Sequence, residues 1–287
     1  MKVIKLKRMQ EVIFLWAQQV VNWLRGKFLY AKQARDLQRK LFQEVDSLSP
    51  EDLNLIREKF HQSCVIRGYD AEMEKIWDMH VNRILLSEKW IHRALEGLPV
   101  DSLMLDLGAE SVASDYLRFK FPQVRWKNTD FDVRFPWKIS ASSIDLIVCT
   151  ELVEHLSDQP NEKFNEGFYM LGFKTLAEES LKALRPGGYM FLSTPNAASV
   201  IHIWATAQAK PPWFYIKHVR EYILSEVTGQ LQNAGFEIVD ARDVHCMTIW
   251  IDHTPIFRML LENNFPVNGR GDDLFVLARK PIDAKNG

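Results

Sequence analysis

One stretch of the chain changes abruptly from apolar to polar, between Ser143 and Leu156 (SIDLIVCTELVEHL). Its first half, residues 144–149, is apolar apart from Asp145 and contains several β-branched residues. A buried parallel strand has such a nearly continuous apolar run because helices cover both faces of its sheet. We therefore predict a central strand of an α/β domain at this position.

A polar cluster of Thr150, Glu151, Glu154 and His155 follows that strand at once. Open α/β sheets bind ligands beyond the carboxyl ends of their strands, near the point where strand order reverses. Two carboxylates and an imidazole at such an edge are candidates for binding or chemistry. The alternative interpretation is that Glu151 and Glu154 cap the next helix and that His155 packs beside it.

Further strand-like segments follow the same pattern along the second part of the chain, at residues 102–108, 124–130, 189–193, 237–244, 247–251 and 274–278. Helix-like segments separate most of them, which predicts right-handed crossovers and a parallel sheet. The last pair is expected to be antiparallel, with a long connection.

Residues 1–97 form a predicted helical region of three to five helices, ahead of an α/β domain over residues 98–287. The composition changes at Leu98-Pro99. One of the helices is predicted over residues 71–96. It carries His80, Arg83 and Trp90, which could reach a neighbouring pocket, although the favoured interpretation of each is a packed or solvated helix residue.

An amphipathic helix is predicted near the amino end, where one apolar stripe contains Met9, Ile13, Trp16, Val20 and Trp23. Polar residues interrupt this segment before it could span a bilayer, and no secretory cleavage pattern follows. The stripe suits packing on the main domain or on a second copy in a homodimer. Its basic flanks also suit peripheral attachment to an anionic membrane.

Composition limits the kinds of partner and the cellular compartment that we expect for this protein. The net charge is −1 over 287 residues, which argues against a general nucleic-acid binder. The three cysteines have no CxxC spacing, so they predict neither a disulfide framework nor a zinc site. A reducing, cytoplasmic compartment is the expectation, with membrane association left open by the amino-terminal helix.

A glycine turn and a later acid predict a cofactor site at the first two strands. Gly108 ends the first strand and precedes a helix-like segment, a geometry that brings backbone N–H groups against an anionic ligand group. Asp130 lies 22 positions later, which is the spacing of an acid that hydrogen-bonds a ribose. Asp132 is the reserve candidate, and an ordinary turn aspartate is the alternative.

The segment 197–217 interrupts the alternation with an aromatic, proline-containing insertion. An insertion at the ligand edge suits a lid or a substrate wall, and it suits a packing arm equally well.

Six features occur in a fixed order along the chain: the strand ending at Gly108, Asp130, DLIVCTELVEHL, LRPGGYMFLSTPN, HVREY and AGFEIV. Together they resemble class I S-adenosylmethionine-dependent methyltransferases over about residues 98–281. The resemblance implies a Rossmann-like, mostly parallel sheet of seven strands with an antiparallel last strand. It also implies S-adenosylmethionine as cofactor, held by residues at three strand ends: Asp106, Leu107, Gly108 and Ala109; Asp130, Phe131 and Asp132; Thr150 and Glu151. Glu110 departs from the family pattern, because its charge should repel the cofactor's carboxylate unless it turns outward or pairs.

The resemblance also extends to O-methyltransferases in which a divalent ion bridges protein and acceptor oxygens, here through Glu151, Glu154, His155 and His218. Such an ion lowers the pKa of a coordinated hydroxyl. Magnesium, manganese and zinc all suit these ligands. Without a metal, His155 or His218 is the candidate general base, with Glu151 beside the reacting groups.

The leading hypothesis is therefore O-methylation of a small-molecule or carrier-linked acceptor, such as a sugar or a natural-product scaffold. A catalytically weak scaffolding protein of the same fold is the alternative. A nicotinamide-dependent oxidoreductase is disfavoured because the later glycines of its turn are absent, and an RNA substrate is disfavoured by the charge.

Overall fold

A computed structural model describes residues 28–108, 110–157, 171–212 and 214–282. The helices are α1 (28–46), α2 (Pro50–Ile66), α3 (Ala71–Met79), α4 (Val81–Leu95), α5 (Val112–Lys120), α6 (Leu171–Ala183), α7 (Val200–Ala207), α8 (Leu224–Ala234) and α9 (Thr254–Glu262). The strands are β1 (Leu103–Asp106), β2 (Arg125–Asn128), β3 (Ile144–Thr150), β4 (Leu184–Pro195), β5 (Glu237–Val244) and β6 (Asp273–Arg279).

The sheet has the order β2-β1-β3-β4-β6-β5, and β6 runs antiparallel to both of its neighbours. The other pairings are parallel. This confirms the α/β fold and the antiparallel last strand. The last strand pairs with β5 and not, as expected, with the segment 247–251. Strand order reverses between β1 and β3, so the carboxyl ends of these two strands frame the crevice in which such sheets bind ligands.

The described residues form six strands, and the expectation of seven was wrong. The segment 247–251, predicted as a strand, lies in a turn. The backbone N–H groups of Met247 and Thr248 each donate to Asp272 Oδ2 at 2.8 Å. Because a carboxylate satisfies these donors, they need no neighbouring strand.

Apolar side chains of β3 alternate between two cores. Leu146 and Val148 face a cluster that includes residues of α2, α4 and α5, whereas Ile147 and Cys149 face a cluster that includes residues of α6 and α8. Both faces of the strand are therefore covered, which is why its sequence is apolar almost throughout. Helices α2 and α4, from the predicted amino-terminal region, cover one of these faces.

The helix expected over residues 71–96 is divided into α3 and α4 at His80. His80 is partly buried, and its ring lies 5.8 Å from the ring of Trp77, edge to face. Burial lowers the pKa of His80 to about 3, and the nearby charge of Arg83 contributes to this shift. His80 is therefore a neutral packing residue at neutral pH, as expected.

The sequence Arg185-Pro186-Gly187-Gly188 lies at the start of β4. The pairing register with β3 jumps there, from Leu184 opposite Ile144 to Tyr189 opposite Leu146. Gly187 has a φ of +80°, and a Cβ on Gly188 would lie 2.9 Å from the backbone oxygens of Arg185 and Asp145. The segment therefore forms an irregularity in the ladder at which glycine is favoured in both positions.

Two compact units make up the described chain. One comprises residues 28–41 and Ile251–Asn268, and in it Gln38 Oε1 accepts from the backbone N–H groups of His253 and Thr254 at 2.8 and 2.9 Å, at the start of α9. The other comprises Phe42–Trp250 and residues 269–282 and contains the whole sheet. The predicted boundary between residues 97 and 98 lies inside this second unit. Among the described residues, no helix is long and apolar enough to cross a bilayer. The predicted amphipathic stripe lies outside the described residues.

Candidate active site

The turn after β1 presents open backbone at Gly108. Its φ is +142°, which side-chain-bearing residues rarely adopt, and a Cβ built there would meet no atom within 4 Å. A ligand can therefore approach this backbone closely, as the predicted cofactor contact requires. Leu107, just before it, is buried and donates its N–H to the oxygen of Val148 at 2.8 Å. Ala109 lies outside the described residues.

Side chains hold this turn from both sides. The N–H of Gly108 donates to Thr129 Oγ1 at 3.0 Å, directly beyond β2. Ser114, in the first turn of α5, donates its hydroxyl to Asp106 Oδ2 at 2.6 Å. Burial raises the pKa of Asp106, although the Ser114 hydrogen bond and the charge of Arg118 oppose the shift. The turn is thus fixed by short hydrogen bonds between β1, β2 and α5.

Glu110 turns outward. Its side chain is 59% exposed and lies 3.1 Å from the guanidinium of Arg118. Its backbone oxygen accepts from Arg67 Nη1 at 3.2 Å. The negative charge that departs from the family pattern is therefore compensated within the protein.

Two aspartates follow β2, and only one of them is paired. Asp132 binds the guanidinium of Arg134 at 2.7 and 3.0 Å, and this hydrogen bonding lowers the pKa of Asp132. Asp130 is exposed and forms no ion pair within the described part of the chain. Between them, the ring of Phe131 packs 5.4 Å from that of Trp137. Asp130 is thus the carboxylate available to a ligand.

Glu151 is held in an uncommon backbone conformation after β3. Its φ is +51°, which for a residue with a side chain costs about 1 kcal/mol or more. Oε1 of Glu151 accepts from Ser193 Oγ at 2.9 Å and lies 3.0 Å from Nη1 of the buried Arg83 of α4. Thr150, the residue before it, pairs in register with Ser193. Arg83, for which a packed or solvated position was favoured and a reach to a neighbouring pocket was the alternative, is therefore ion-paired with a predicted site residue.

Glu154, His155 and His218 come together just beyond the same edge. One ligating atom from each lies within 4.8 Å of the other two. Oε2 of the fully buried Glu154 accepts from Thr194 Oγ1 at 2.9 Å, and Oε1 has no hydrogen-bond partner among the described residues. Glu151 does not belong to this group.

Burial sets the charge states in this cluster. It raises the pKa of Glu154 to about 7, against the opposing hydrogen bond from Thr194 and the charge of His218. Burial also lowers the pKa of His155, and His218 adds to that shift. The imidazole rings of His155 and His218 are 4.8 Å apart. Groups that titrate near neutral pH suit proton transfer, and an oxygen–nitrogen donor set suits a divalent cation.

Backbone contacts bring His218 to this position. The N–H groups of Val219 and Arg220 donate to the backbone oxygen of Glu154 at 2.8 and 3.2 Å. Tyr215, from the aromatic insertion, lies edge-on to His155 and His218, with ring centroids 6.3 and 5.7 Å away. Part of the insertion therefore borders the cluster.

The fold and this edge of the sheet define a class I S-adenosylmethionine-dependent methyltransferase. A family model described as a methyltransferase domain matches residues 51–241, which is more than half of the chain. The chain belongs to this family, which confirms the resemblance. The matched range begins within α2, so the family's domain includes helices that we had placed in a separate amino-terminal region.

A curated relative from Mycolicibacterium smegmatis, a probable S-adenosylmethionine-dependent methyltransferase, is 28% identical over 155 residues. That match covers 52% of this chain and about half, 51%, of the relative's length. Among solved structures, a methyltransferase from Archaeoglobus fulgidus is 13% identical, with a TM-score of 0.47 over 72% of this chain and 99% of that one. An N-methyltransferase from Bradyrhizobium japonicum, in complex with S-adenosyl-L-homocysteine, is 16% identical, with a TM-score of 0.39 over 68% and 86%.

Proposed function

We propose that this protein transfers the methyl group of S-adenosylmethionine to an oxygen of a small-molecule or carrier-linked acceptor. The observation that carries the proposal is the meeting of Glu154, His155 and His218 within 4.8 Å at the carboxyl edge of the sheet. A hydroxyl is a weak nucleophile, so its methylation benefits from a nearby proton acceptor or a cation. This cluster offers the residues for either.

Asp106, Gly108 and Asp130 are the residues that would hold the cofactor, and we call the strand ends that carry them the cofactor edge. The open space over Gly108 fits a close approach of its methionine end, and the unpaired Asp130 fits its ribose hydroxyls. When bound, S-adenosylmethionine supplies an electrophilic methyl carbon, and its sulfur keeps the bonding electron pair as the acceptor oxygen forms the new bond. Glu151 lies between the cofactor edge and the histidine cluster.

His218 is the base we favour. Its Nδ1 lies 2.6 Å from Glu221, so Nε2 remains available to take the proton of an acceptor hydroxyl. The protein's main task is to orient that oxygen in line with the methyl carbon, at about 3 Å. Tyr215 provides an aromatic wall beside the two imidazoles, which favours an acceptor with a planar or apolar body.

A divalent cation would be held by Glu154, His155 and His218. The unpartnered Oε1 of Glu154 fits this role, because a buried carboxylate oxygen without a hydrogen bond is costly. Magnesium or manganese would supply Lewis acidity that lowers the pKa of an acceptor hydroxyl.

Calorimetric titration with S-adenosylmethionine tests the cofactor site. We expect Asp130→Ala to weaken binding by about 10- to 100-fold, the cost of losing a charged hydrogen bond. Asp132→Ala is the matched control, because Arg134 already occupies that carboxylate, and we expect it to change affinity by less than about threefold.

The same titration with magnesium or manganese tests the cation. Binding of manganese by the wild type and its loss in Glu154→Gln would support metal assistance. Cofactor binding without any effect of metal would leave His218 as the sole base. If no condition gives cofactor binding, a scaffolding role replaces the proposed activity.

A further inference from the structure

The carboxylate of Glu221 joins two histidines that lie at different places in the chain. Oε1 lies 2.6 Å from Nδ1 of His218 and accepts the backbone N–H of Phe214 at 2.8 Å. Oε2 is in hydrogen-bond contact with Nε2 of His202, in α7. The side chains of His202, His218 and Glu221 are all buried, so water competes little for these contacts.

The direction of the His218 contact follows from what else binds the same oxygen. Oε1 of Glu221 accepts the backbone N–H of Phe214, and an oxygen that accepts this bond without a hydrogen of its own also acts as acceptor toward the imidazole. The Nδ1 of His218 must then carry the hydrogen of that contact. His218 is then protonated on Nδ1, and its Nε2 bears the lone pair.

We propose that Glu221 is the positioning residue for His218. It selects the tautomer in which Nε2 can accept a proton or bind a cation, and it ties this choice to the aromatic insertion through Phe214 and His202. The inference rests on the proposed function, because it assigns Glu221 a role at that same site. His202 would be a second donor that keeps the carboxylate in place, without contact to the reacting groups.

Two physical effects make His218 a better base or metal ligand in this arrangement. A histidine whose other nitrogen donates to a carboxylate is fixed in ring orientation and is a stronger base or ligand. The positive charge that forms when Nε2 takes a proton lies next to the anionic Glu221, which stabilises it. Because the insertion contributes Phe214 N–H and His202, the placement of the insertion and the orientation of His218 depend on the same carboxylate.

Nitrogen-15 NMR of protein labelled at its histidines tests the proposal directly. His218→Gln assigns the signal by its disappearance. At pH 8 we expect wild-type His218 to carry its hydrogen on Nδ1. A His218 that carries its hydrogen on Nε2 in the wild type would overturn the proposal.

Variants then distinguish a positioning role of Glu221 from a general contribution to the stability of the protein. Glu221→Gln retains the size of the side chain but offers only one acceptor oxygen, so we expect the Nδ1–H to Nε2–H ratio of His218 to fall by about fivefold or more. His202→Gln should leave that ratio within about twofold of the wild type, because its own contact is on the other oxygen. Glu237→Gln, which breaks an exposed ion pair with Arg279, is the matched control and should have no effect. An unchanged ratio in Glu221→Gln would contradict the proposal.

Cofactor titration of the same variants distinguishes this proposal from the proposed function. We expect Glu221→Gln to bind S-adenosylmethionine within about twofold of the wild-type affinity, because no cofactor-edge residue contacts Glu221. If the wild type fails to bind the cofactor but shows the predicted tautomer, the proposed function fails and the positioning role stands. If the wild type binds the cofactor but His218 has the other tautomer, the positioning role fails and the proposed function stands.

Discussion

The cofactor edge and the histidine cluster lie at the same end of the sheet but are built differently. At the cofactor edge, Asp106, Gly108 and Thr129 are joined by hydrogen bonds between neighbouring strands and one helix, and Asp130 is exposed. The histidine cluster consists of Glu154, His155 and His218. There the buried Glu154 accepts from Thr194 of β4, and the adjoining buried Glu221 contacts His202 of α7 and His218.

Under the proposed function, this difference separates cofactor recognition from chemistry. An exposed carboxylate and open backbone can bind a polar cofactor that arrives from water. The buried carboxylates have shifted pKa values and fixed directions, which suit proton transfer. Arg83 lies 3.0 Å from Glu151, and its charge also acts on Glu154 and Asp273, which offsets part of the electrostatic cost of burial.

The largest effect should come from Arg83→Met. Removing the guanidinium leaves Glu151 without its cation and raises the electrostatic cost of the buried Glu154 and Asp273, so we expect the free energy of unfolding to fall by about 3–5 kcal/mol. Urea unfolding at pH 8 measures it. Arg93→Met, on the same helix, breaks a half-exposed ion pair with Asp240 and should cost less than about 1 kcal/mol. Equal losses in the two variants would show that Arg83 does not support the buried charges.

Asp273→Asn should change the pH dependence of stability. Burial raises the pKa of Asp273 to about 6, so the folded protein binds this proton more tightly than the unfolded chain does. This contribution is fully present below pH 4 and is lost as pH rises to about 6. The variant should therefore lose less stability than the wild type over that range, by about 1–3 kcal/mol.

At the cofactor edge, Asp132→Asn should change the pH dependence of stability in the opposite direction. Arg134 lowers the pKa of Asp132, so its contribution is present above pH 4 and is lost on acidification. Thermal unfolding between pH 2 and 8 compares the two variants, because the Asp132 contribution is lost only below about pH 4. The same slope in both would contradict the contrast between the buried and exposed acids.

Arg67→Ala should weaken cofactor binding by about 5- to 10-fold without a large effect on folding. Nε and Nη2 of Arg67 each donate to Asp115 at 2.9 Å, and Nη1 donates to the backbone oxygen of Glu110, so this residue, directly after α2, steadies the turn that would hold the cofactor. Calorimetry measures the change in affinity. Arg57→Ala, within α2 and paired with the exposed Asp78, should leave the affinity unchanged.

Glu110→Gln should have the smallest effect. Its carboxylate is exposed and paired with Arg118, so we expect the affinity for S-adenosylmethionine to change by less than about twofold. A tenfold gain in affinity would mean that the Glu110 charge acts on the cofactor after all.

The sequence by itself determined the parts of this protein that depend on local pattern. The apolar run before Glu151 predicted β3, and the predicted strand over residues 237–244 coincides with β5. Gly108 and the spacing to Asp130 predicted the cofactor turn, and the order of motifs predicted the family. Periodicity, turn residues and short spacings carry this information, because each reflects contacts between neighbours in the chain.

Only the tertiary structure decided which side chains meet. Nothing in the sequence of α4 distinguishes Arg83 from other helix arginines, yet it reaches Glu151. The sequence did not predict Glu221 or His202 as partners of His218 or of each other, yet they meet in the fold. The strand expected over residues 247–251 failed for the same reason, because Asp272, far along the chain, satisfies its backbone donors. Contacts between distant residues depend on how the whole sheet packs, and no local pattern encodes them.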